Sequence, residues 1–478
     1  MLKNERNINY LREQIIQAEN RAKAYVFDEN NKARPQQSIF LKFSKYLKDF
    51  EETRSAARWV VFTGLRGAGK TTVLSQLFYH YKNLDGYRLF LSVDQITQIL
   101  GSSLNEILEA YEELLGFSFE QLDKPLYLFL DEVQYDDKWG VVLKSLYDRS
   151  NKIFILATGS AALLLNNNSD IARRAIFEKL FPLSFTEYLK IRNNRFEIKG
   201  LGKSIRSALF NSSTAAEAHN NLLSLEPEIK KYWLGVDKQE VTKYIKYGSL
   251  PFMVALKNEA LIYDQVNKTL DKIINSDVAK CGRFNSEIIS KIPSLLYAIA
   301  DMDELSFNKL AGIFEISRPK IMEIFEILES TETITRVYPH GSHLNQIKKI
   351  RQASKFLFAS SAFRAMYYNM VGNIIGNENY RGKLLEDVVG MYLNRLLYKK
   401  INVSITYDSA QGGADFIVGW ERQRIIIEVG SGDKGARQIK NTMAKVEARY
   451  GFTISSNYLN LIRDENILQV PLEYFLLV

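Results

Sequence analysis

The chain has 478 residues, more than one ordinary hydrophobic core accommodates, so about two to four domains are expected. Its 46% hydrophobic and 12% aromatic content excludes global disorder, and its net charge of +8 permits contact with DNA without demanding it. A lone cysteine, Cys281, excludes an internal disulfide and a cysteine-built zinc site; with a polar start, MLKNERNINY, and apolar runs only of strand length, a cytoplasmic protein with no membrane segment is expected.

In chain order, residues 1–54 read as a polar, helix-leaning arm with a breaker near Pro35. A β-rich run, Trp59 to Thr63, leads into Gly64–Thr71, GLRGAGKT, which fits G-x-x-x-x-G-K-S/T at every required position. A helix-compatible run from Lys70 to Lys82 follows. Strand, loop and helix in that order make a phosphate cradle. The glycines let backbone N–H groups turn toward phosphate oxygens, and the helix N-terminus adds its positive dipole end. The expected ATP-binding residues are Gly64, Leu65, Arg66, Gly67, Ala68, Gly69, Lys70, Thr71 and Thr72. Lys70 is expected to reach the β- and γ-phosphates, and the Thr71 hydroxyl to bind Mg²⁺.

Four further β-type runs follow: Tyr87 to Val93, Leu126 to Val133, Lys152 to Ala157 and Ala175 to Leu180. Helical stretches such as Leu104 to Leu115 and Lys138 to Arg149 lie between the first three. This alternation predicts a parallel sheet with both faces covered. In LYLFLDEV a buried strand runs into Asp131, expected to hold Mg²⁺, and Glu132, expected to activate the attacking water. The next strand ends in ATGS, where Thr158 or Ser160 is placed to sense the γ-phosphate. Arg173 and Arg174 follow as candidates for an arginine finger, in cis or from a neighbouring copy.

The ordered set GLRGAGKTT, LFLDEVQYDDKW, ATGSAALL, Arg173–Arg174 and FPLSFTEYL resembles a family of AAA-superfamily ATPases of bacteria and archaea. That family is related to signal-transduction ATPases and carries a C-terminal domain of unknown function resembling a nuclease. In it a basic pair precedes a PLSF-x-E-Y-L segment, here Pro182 to Leu189. The resemblance runs from about Arg58 to about Lys434 and implies Mg²⁺-dependent ATP hydrolysis.

Residues 191–283 read as a helical lid with an insertion, beyond an ATPase core at 55–190. Residues 284–352 run helix, helix, turn, helix and strand, the order of a winged helix. Its third helix, Pro319 to Leu328, would enter the major groove, but Glu323 and Glu326 there oppose phosphate. Arg336, His340, Lys348, Lys349 and Arg351 are candidates for backbone contact from a wing, and a protein-contact module is the alternative. The four histidines form no ligand cluster in the sequence.

Residues 353–478 carry three acids in suggestive order. Glu386 lies in a helical run, Asp415 opens the strand DFIVGW, and Glu428 is near the end of RIIIEVG. Helix-Glu, strand-Asp, strand-Glu is the order of a restriction-endonuclease-like fold, in which strand carboxylates share Mg²⁺. The resemblance implies an Asp … Glu-x-Lys pattern here, but the lysine position is Gly430, while Lys434 and Lys440 have the wrong strand phase. A degenerate site is therefore expected. The fold class expected overall is multidomain α/β: a P-loop parallel-sheet core, helical lid, winged-helix module and nuclease-like C-terminal domain, with ATP, DNA and a partner protein or a second copy as candidate partners.

Overall fold

The computed structural model describes residues 3–160, 169–282, 284–341, 353–372, 378–420, 423–430, 433–456 and 458–478. The chain divides into two units, Met1–Phe181 and Pro182–Val478.

The first unit is built on five strands: β1 (Trp59–Gly64), β2 (Tyr87–Ser92), β3 (Leu126–Asp131), β4 (Ile153–Gly159) and β5 (Ile176–Leu180). They lie in the order β2-β3-β4-β1-β5, and every pair is parallel. Every residue of β1, β3 and β4 is buried, which is why these segments are continuous apolar runs rather than alternating ones. The helices Lys70–His80, Leu104–Leu115 and Trp139–Arg149 connect and cover them. Ser103 starts the second of these with a reciprocal capping box to Glu106. The arm forms two helices, Lys3–Val26 and Ile39–Thr53, and the first packs on Lys70–His80, Leu104–Leu115 and β2. One consequence of the strand order matters for function. β4 separates β1 from β3, so the C-terminal ends of these three strands meet where the phosphate loop begins.

The second unit begins with helices, among them Phe185–Asn193, Leu201–Phe210, Ala215–Trp233, Glu259–Lys272 and Ser286–Asp301. An eight-stranded mixed sheet then forms from β6 (Ile334–Pro339), β7 (Lys355–Phe358), β8 (Val403–Tyr407), β9 (Phe416–Trp420), β10 (Gln423–Val429), β11 (Tyr450–Ser456), β12 (Asn460–Ile462) and β13 (Ile467–Pro471). Its order is β12-β13-β11-β10-β9-β8-β6-β7. Strands β8, β9 and β10 form an antiparallel meander between the helices Glu378–Leu397 and Asp433–Met443, and β11 returns parallel to β10.

The helices Phe307–Phe314 and Arg318–Ser330 precede the antiparallel pair β6–β7, and an isolated bridge joins Leu305 to Ser354. This helix pair and hairpin is no free-standing module, because Tyr338 and Pro339 of β6 pair in parallel with Thr406 and Tyr407 of β8. Arg336 is spent inside the fold: its guanidinium lies against Phe307, Tyr338 and Phe356, and its Nε donates to Ser354 Oγ. His340 Nδ1 meets Thr406 Oγ1 at 3.1 Å. The expectations for Lys348, Lys349 and Arg351 fall outside the described residues.

The PLSF-x-E-Y-L segment has a packing role in this unit. Ser184 caps the helix Phe185–Asn193 through a capping box with Glu187, whose Oε2 also pairs with Arg395 at 2.6 Å. Phe185 N donates to Tyr392 Oη at 2.7 Å, and that hydroxyl donates onward to Leu476 O at 3.1 Å. One buried hydroxyl therefore ties three distant stretches of chain together. Tyr392→Phe should lower the stability of this unit by about 1–3 kcal/mol, the cost of leaving buried partners unpaired. Urea unfolding of the full chain, followed by circular dichroism, would measure it.

Candidate functional site

The phosphate loop leaves β1 at Gly64 and enters the helix at Lys70. Two glycines are set by the backbone path. Gly69 has φ +99°, a left-handed value that side chains rarely adopt, and a Cβ on Gly64 would collide with the Leu180 carbonyl of β5. Lys70 is buried and its Nζ donates to Gly64 O at 2.9 Å, so the ammonium is held inside the loop it would serve. Gln37 of the arm donates from Nε2 to Ala68 O at 3.0 Å, buttressing the loop from outside.

Asp131 ends β3 and is 5% exposed. Its Oδ2 accepts from Thr71 Oγ1 at 2.8 Å, and its Oδ1 accepts from the Thr158 hydroxyl at the end of β4. Burial, and after it the charge of Glu132, push the Asp131 carboxyl up to about 6. A carboxylate held in this state gains from a cation placed beside it. Glu132 follows with φ +56°, an unusual conformation for a glutamate and a common mark of functional sites. Its backbone N–H donates to Thr158 Oγ1 at 3.0 Å, and its Oε2 accepts from Gln134 Nε2. Gln134 Oε1 accepts in turn from Ser160 N at 3.2 Å. Thr71, Asp131, Glu132, Thr158 and Ser160 thus form one network, with Gln134 as its bridge. Tyr25 of the arm lies within electrostatic range of Asp131; burial first, and then that charge, raise its phenol. Arg174 pairs with Asp148 at 2.8 Å, and Arg173 is exposed beyond the short helix Ser169–Ala172.

A second constellation lies in the other unit. The helix Glu378–Leu397 carries Glu386, Asp415 immediately precedes β9, and Glu428 lies in β10 directly across from it. Asp415 N donates to Glu428 Oε2 at 3.0 Å, and Val429 N donates to Asp415 Oδ2 at 2.9 Å. Into this group comes Lys355, the first residue of β7. Its Nζ lies 2.5 Å from Glu386 Oε2 and 2.6 Å from Asp415 Oδ1. Gly430 puts no side chain beside the carboxylates, and the amine that meets them is Lys355. The amine arrives from a strand some sixty positions upstream of Asp415, as the 60-residue separation of the pair records. Burial opposes the charge on Lys355, but Asp415 and Glu386 outweigh it and hold the ammonium well above its ordinary pKa. Burial, then the Asp415 charge, raise both Glu386 and Glu428. These residues line a cavity of about 640 Å³. Among the described residues, no three His, Cys, Asp or Glu side chains surround one metal position.

Next to Glu386, Asp387 is fully buried and paired with Arg364 through both oxygens, at 2.6 Å and 2.9 Å. Arg364 also donates to the carbonyls of Ile299 and Ala300, ending the helix Ser286–Asp301, while Asp387 accepts from Phe358 N of β7. This pair fixes the helix bearing Glu386 against the strand bearing Lys355.

A family model described as an AAA domain matches residues 56–189, and one for a domain of unknown function (DUF8612) matches residues 238–371. The uncharacterized protein MJ1637 of Methanocaldococcus jannaschii is 35% identical over 444 residues, covering 91% of this chain and 87% of its own length. The chain belongs to the same family as this archaeal protein. MJ1544 of the same organism, also uncharacterized, is 23% identical over 377 residues, covering 77% of this chain and 73% of its own. Among solved structures, ORC1 of Aeropyrum pernix in complex with DNA overlaps with a TM-score of 0.32 at 10% identity, covering 68% of this chain and 92% of that one. AMPPCP-bound DnaA of Aquifex aeolicus overlaps with a TM-score of 0.28 at 16% identity, covering 64% and 98%.

The AAA domain is thus a P-loop, AAA-type ATPase fold with a parallel sheet at its core. Three residues at this site escaped the sequence reading: Gln134 inside the network, Gln37 on the phosphate loop, and Tyr25, whose phenol feels the charge of Asp131. Gln134 carried a local signal, two residues beyond Glu132 in DEVQ; Gln37 and Tyr25 carried none, because Gln37 reaches the loop, and Tyr25 comes near Asp131, only through the packing of the arm. Among the described residues, no helix is long and apolar enough to cross a membrane.

Proposed function

We propose that the AAA domain binds ATP with Mg²⁺ at Gly64–Thr72 and hydrolyses it. The observation that carries this reading is the contact of Thr71 and Thr158 with the two oxygens of Asp131 beside the phosphate loop. Thr71 and Asp131 are the Mg²⁺ ligands, Lys70 neutralises the β- and γ-phosphates, and Glu132 orients the attacking water. Arg173 and Arg174 are the candidates for stabilising transition-state charge. Gln134 positions Glu132 relative to Ser160. Gln134→Ala should therefore lower kcat by between about 10-fold and 10²-fold with little change in KM, as expected when a reacting group is misplaced. Steady-state phosphate release against ATP concentration separates the two parameters.

The nucleotide cycle would act on the second unit, whose helix pair and hairpin we read as a winged helix that contacts nucleic acid. A second reading, a switch that recognises protein, is favoured by particular contacts. Lys320 on the third helix is paired with Glu323 at 2.8 Å, and Arg336 is packed among aromatic rings. The ATPase rate measured with single- and double-stranded DNA and RNA, across a salt series, decides between them. Stimulation that fades with salt supports the nucleic-acid reading. Equal rates with and without every polynucleotide, and no salt-sensitive binding, support protein recognition.

A further inference from the structure

The peptide that joins Ala68 to Gly69 can turn over at little cost in backbone strain. Gly67 and Gly69 flank Ala68 with φ of +85° and +99°, and a glycine crosses between the left- and right-handed regions without penalty. A peptide is planar and trans, so its C=O and its N–H point in opposite directions. Whatever holds Ala68 O on one side therefore aims Gly69 N–H at the other. The group that holds it is Gln37 Nε2, at 3.0 Å, in a buried contact. Among the described residues, the N–H groups of Gly69, Lys70, Thr71 and Thr72 donate to no protein acceptor, which leaves them for a ligand. Gln37 is 7% exposed and is presented from a rigid mount. Its carbonyl accepts from Phe40 N at 3.0 Å, opening the helix Ile39–Thr53. Lys42 Nζ and Tyr46 Oη of that helix meet the buried Glu178 carboxylate of β5 at 2.6 Å and 2.9 Å. Phe43 packs on Phe62 of β1 with ring centroids 4.6 Å apart. The mount is thus fixed to β1, from which the loop departs, and to β5 beside it.

We propose that Gln37 is a positioning residue for the nucleotide: it holds the Ala68–Gly69 peptide in the orientation that turns Gly69 N–H toward the bound phosphates. The proposal rests on the reading of Gly64–Thr72 as an ATP site. The peptide is ordered before the ligand arrives, so binding does not have to select one orientation from two. Without the Gln37 amide, part of the population presents Ala68 O, the negative end of the peptide dipole, to the phosphates. Apparent affinity then falls by the fraction of molecules that remains competent. Once nucleotide is bound, its own oxygens hold Gly69 N–H, and the complex is the same with or without Gln37. The loss is therefore one of uniform binding, in which KM rises and kcat does not change. Gln134→Ala, which misplaces a reacting group, gives the opposite pattern.

Gln37→Met keeps the length of the side chain and removes the donor. Full-length wild-type and variant proteins are titrated with ADP and Mg²⁺ by calorimetry, and ATP hydrolysis is followed to saturation. The variant should bind ADP about tenfold more weakly, with KM for ATP raised by a similar factor and kcat within about twofold of the wild type. Nuclear magnetic resonance reads the orientation itself. The sequence contains two Ala-Gly steps, Ala68–Gly69 and Ala311–Gly312, so carbonyl-labelled alanine combined with nitrogen-labelled glycine isolates these two amides. Without nucleotide, Gly69 should give one sharp signal in the wild type and a broadened or doubled one in Gln37→Met. Gly312, in the helix Phe307–Phe314 of the second unit, should not change. Saturating ADP should return Gly69 to a single signal, and so, without nucleotide, should Gln37→Lys, which restores a donor of similar reach. Wild-type ADP affinity in Gln37→Met, or a Gly69 signal identical to that of the wild type, overturns the positioning role alone. A fall in kcat at unchanged KM overturns it too, since Gln37 then acts on the chemical step. A Gly69 signal that stays doubled in Gln37→Lys means that side-chain shape, not the hydrogen bond, orients the peptide, and also overturns it. A wild-type chain that binds neither ADP nor ATP overturns the ATP reading and this proposal with it.

Discussion

Lys70→Ala is expected to reduce ATP hydrolysis by about 10²–10³-fold, the usual effect of deleting one preorganised group that stabilises transition-state charge. The buried ammonium already points into the loop, 2.9 Å from Gly64 O, so its rotamer freedom is largely lost before ATP arrives. An ammonium fixed this way interacts more strongly with the γ-phosphate as negative charge redistributes than with the ground state, so the loss should fall on kcat as well as on ATP affinity. Lys70→Met, which keeps much of the length and none of the charge, should behave like Lys70→Ala. If either variant hydrolyses ATP at the wild-type rate while circular dichroism shows an intact fold, the assignment of the phosphate loop fails.

The largest expected effect on stability comes from Arg364. Replacing it with Ala should destabilise the second unit by about 3–5 kcal/mol, because the change strands a buried carboxylate. Asp387 is fully buried, and without the guanidinium only Phe358 N remains on it among the described hydrogen bonds. The carbonyls of Ile299 and Ala300 lose a donor at the same time, although Ala300 O keeps the Tyr368 hydroxyl at 2.7 Å. The double variant Arg364→Leu with Asp387→Leu removes both charges and should lose much less, since no ion is left unpaired. Urea midpoints of the two variants test this ordering. A single variant no less stable than the double one would mean that the pair is not the anchor its geometry describes.

The two halves of the chain differ in how much of them was legible in sequence. GLRGAGKT carries its own geometry: the strand, turn and helix are contiguous, and Gly64 and Gly69 occupy positions that side chains cannot share. LYLFLD is equally explicit, since a strand buried on both faces must be apolar until it emerges, and it emerges at Asp131. Thr158 and Ser160 were legible as alternatives only. The structure gives each a contact, the Thr158 hydroxyl to Asp131 and the Ser160 backbone to Gln134. Glu386, Asp415 and Glu428 were legible as an ordered set because period-two strands and a helix turn place them predictably, and the structure brings them together around one cavity. The segment PLSFTEYL was legible as a family mark but not as what it does, which is to cap a helix and dock Tyr392 and Arg395.

By itself, then, the sequence determined the elements whose chemistry is local: the phosphate loop, the strand that ends in Asp131, and the residue types of the acidic set. Tertiary structure alone decided which side chains complete them. Gln37 reaches the loop because the arm folds back on it, and Lys355 reaches Asp415 because β6 pairs with β8 and carries its hairpin partner into the sheet. The physical reason is that strand phase is a short-range rule. It states which face residue 430 must occupy, and there it finds only Gly430. A charge requirement is indifferent to chain order, and an ammonium from any strand that packs within 3 Å of the carboxylates satisfies it, as Lys355 does at 2.5 Å and 2.6 Å.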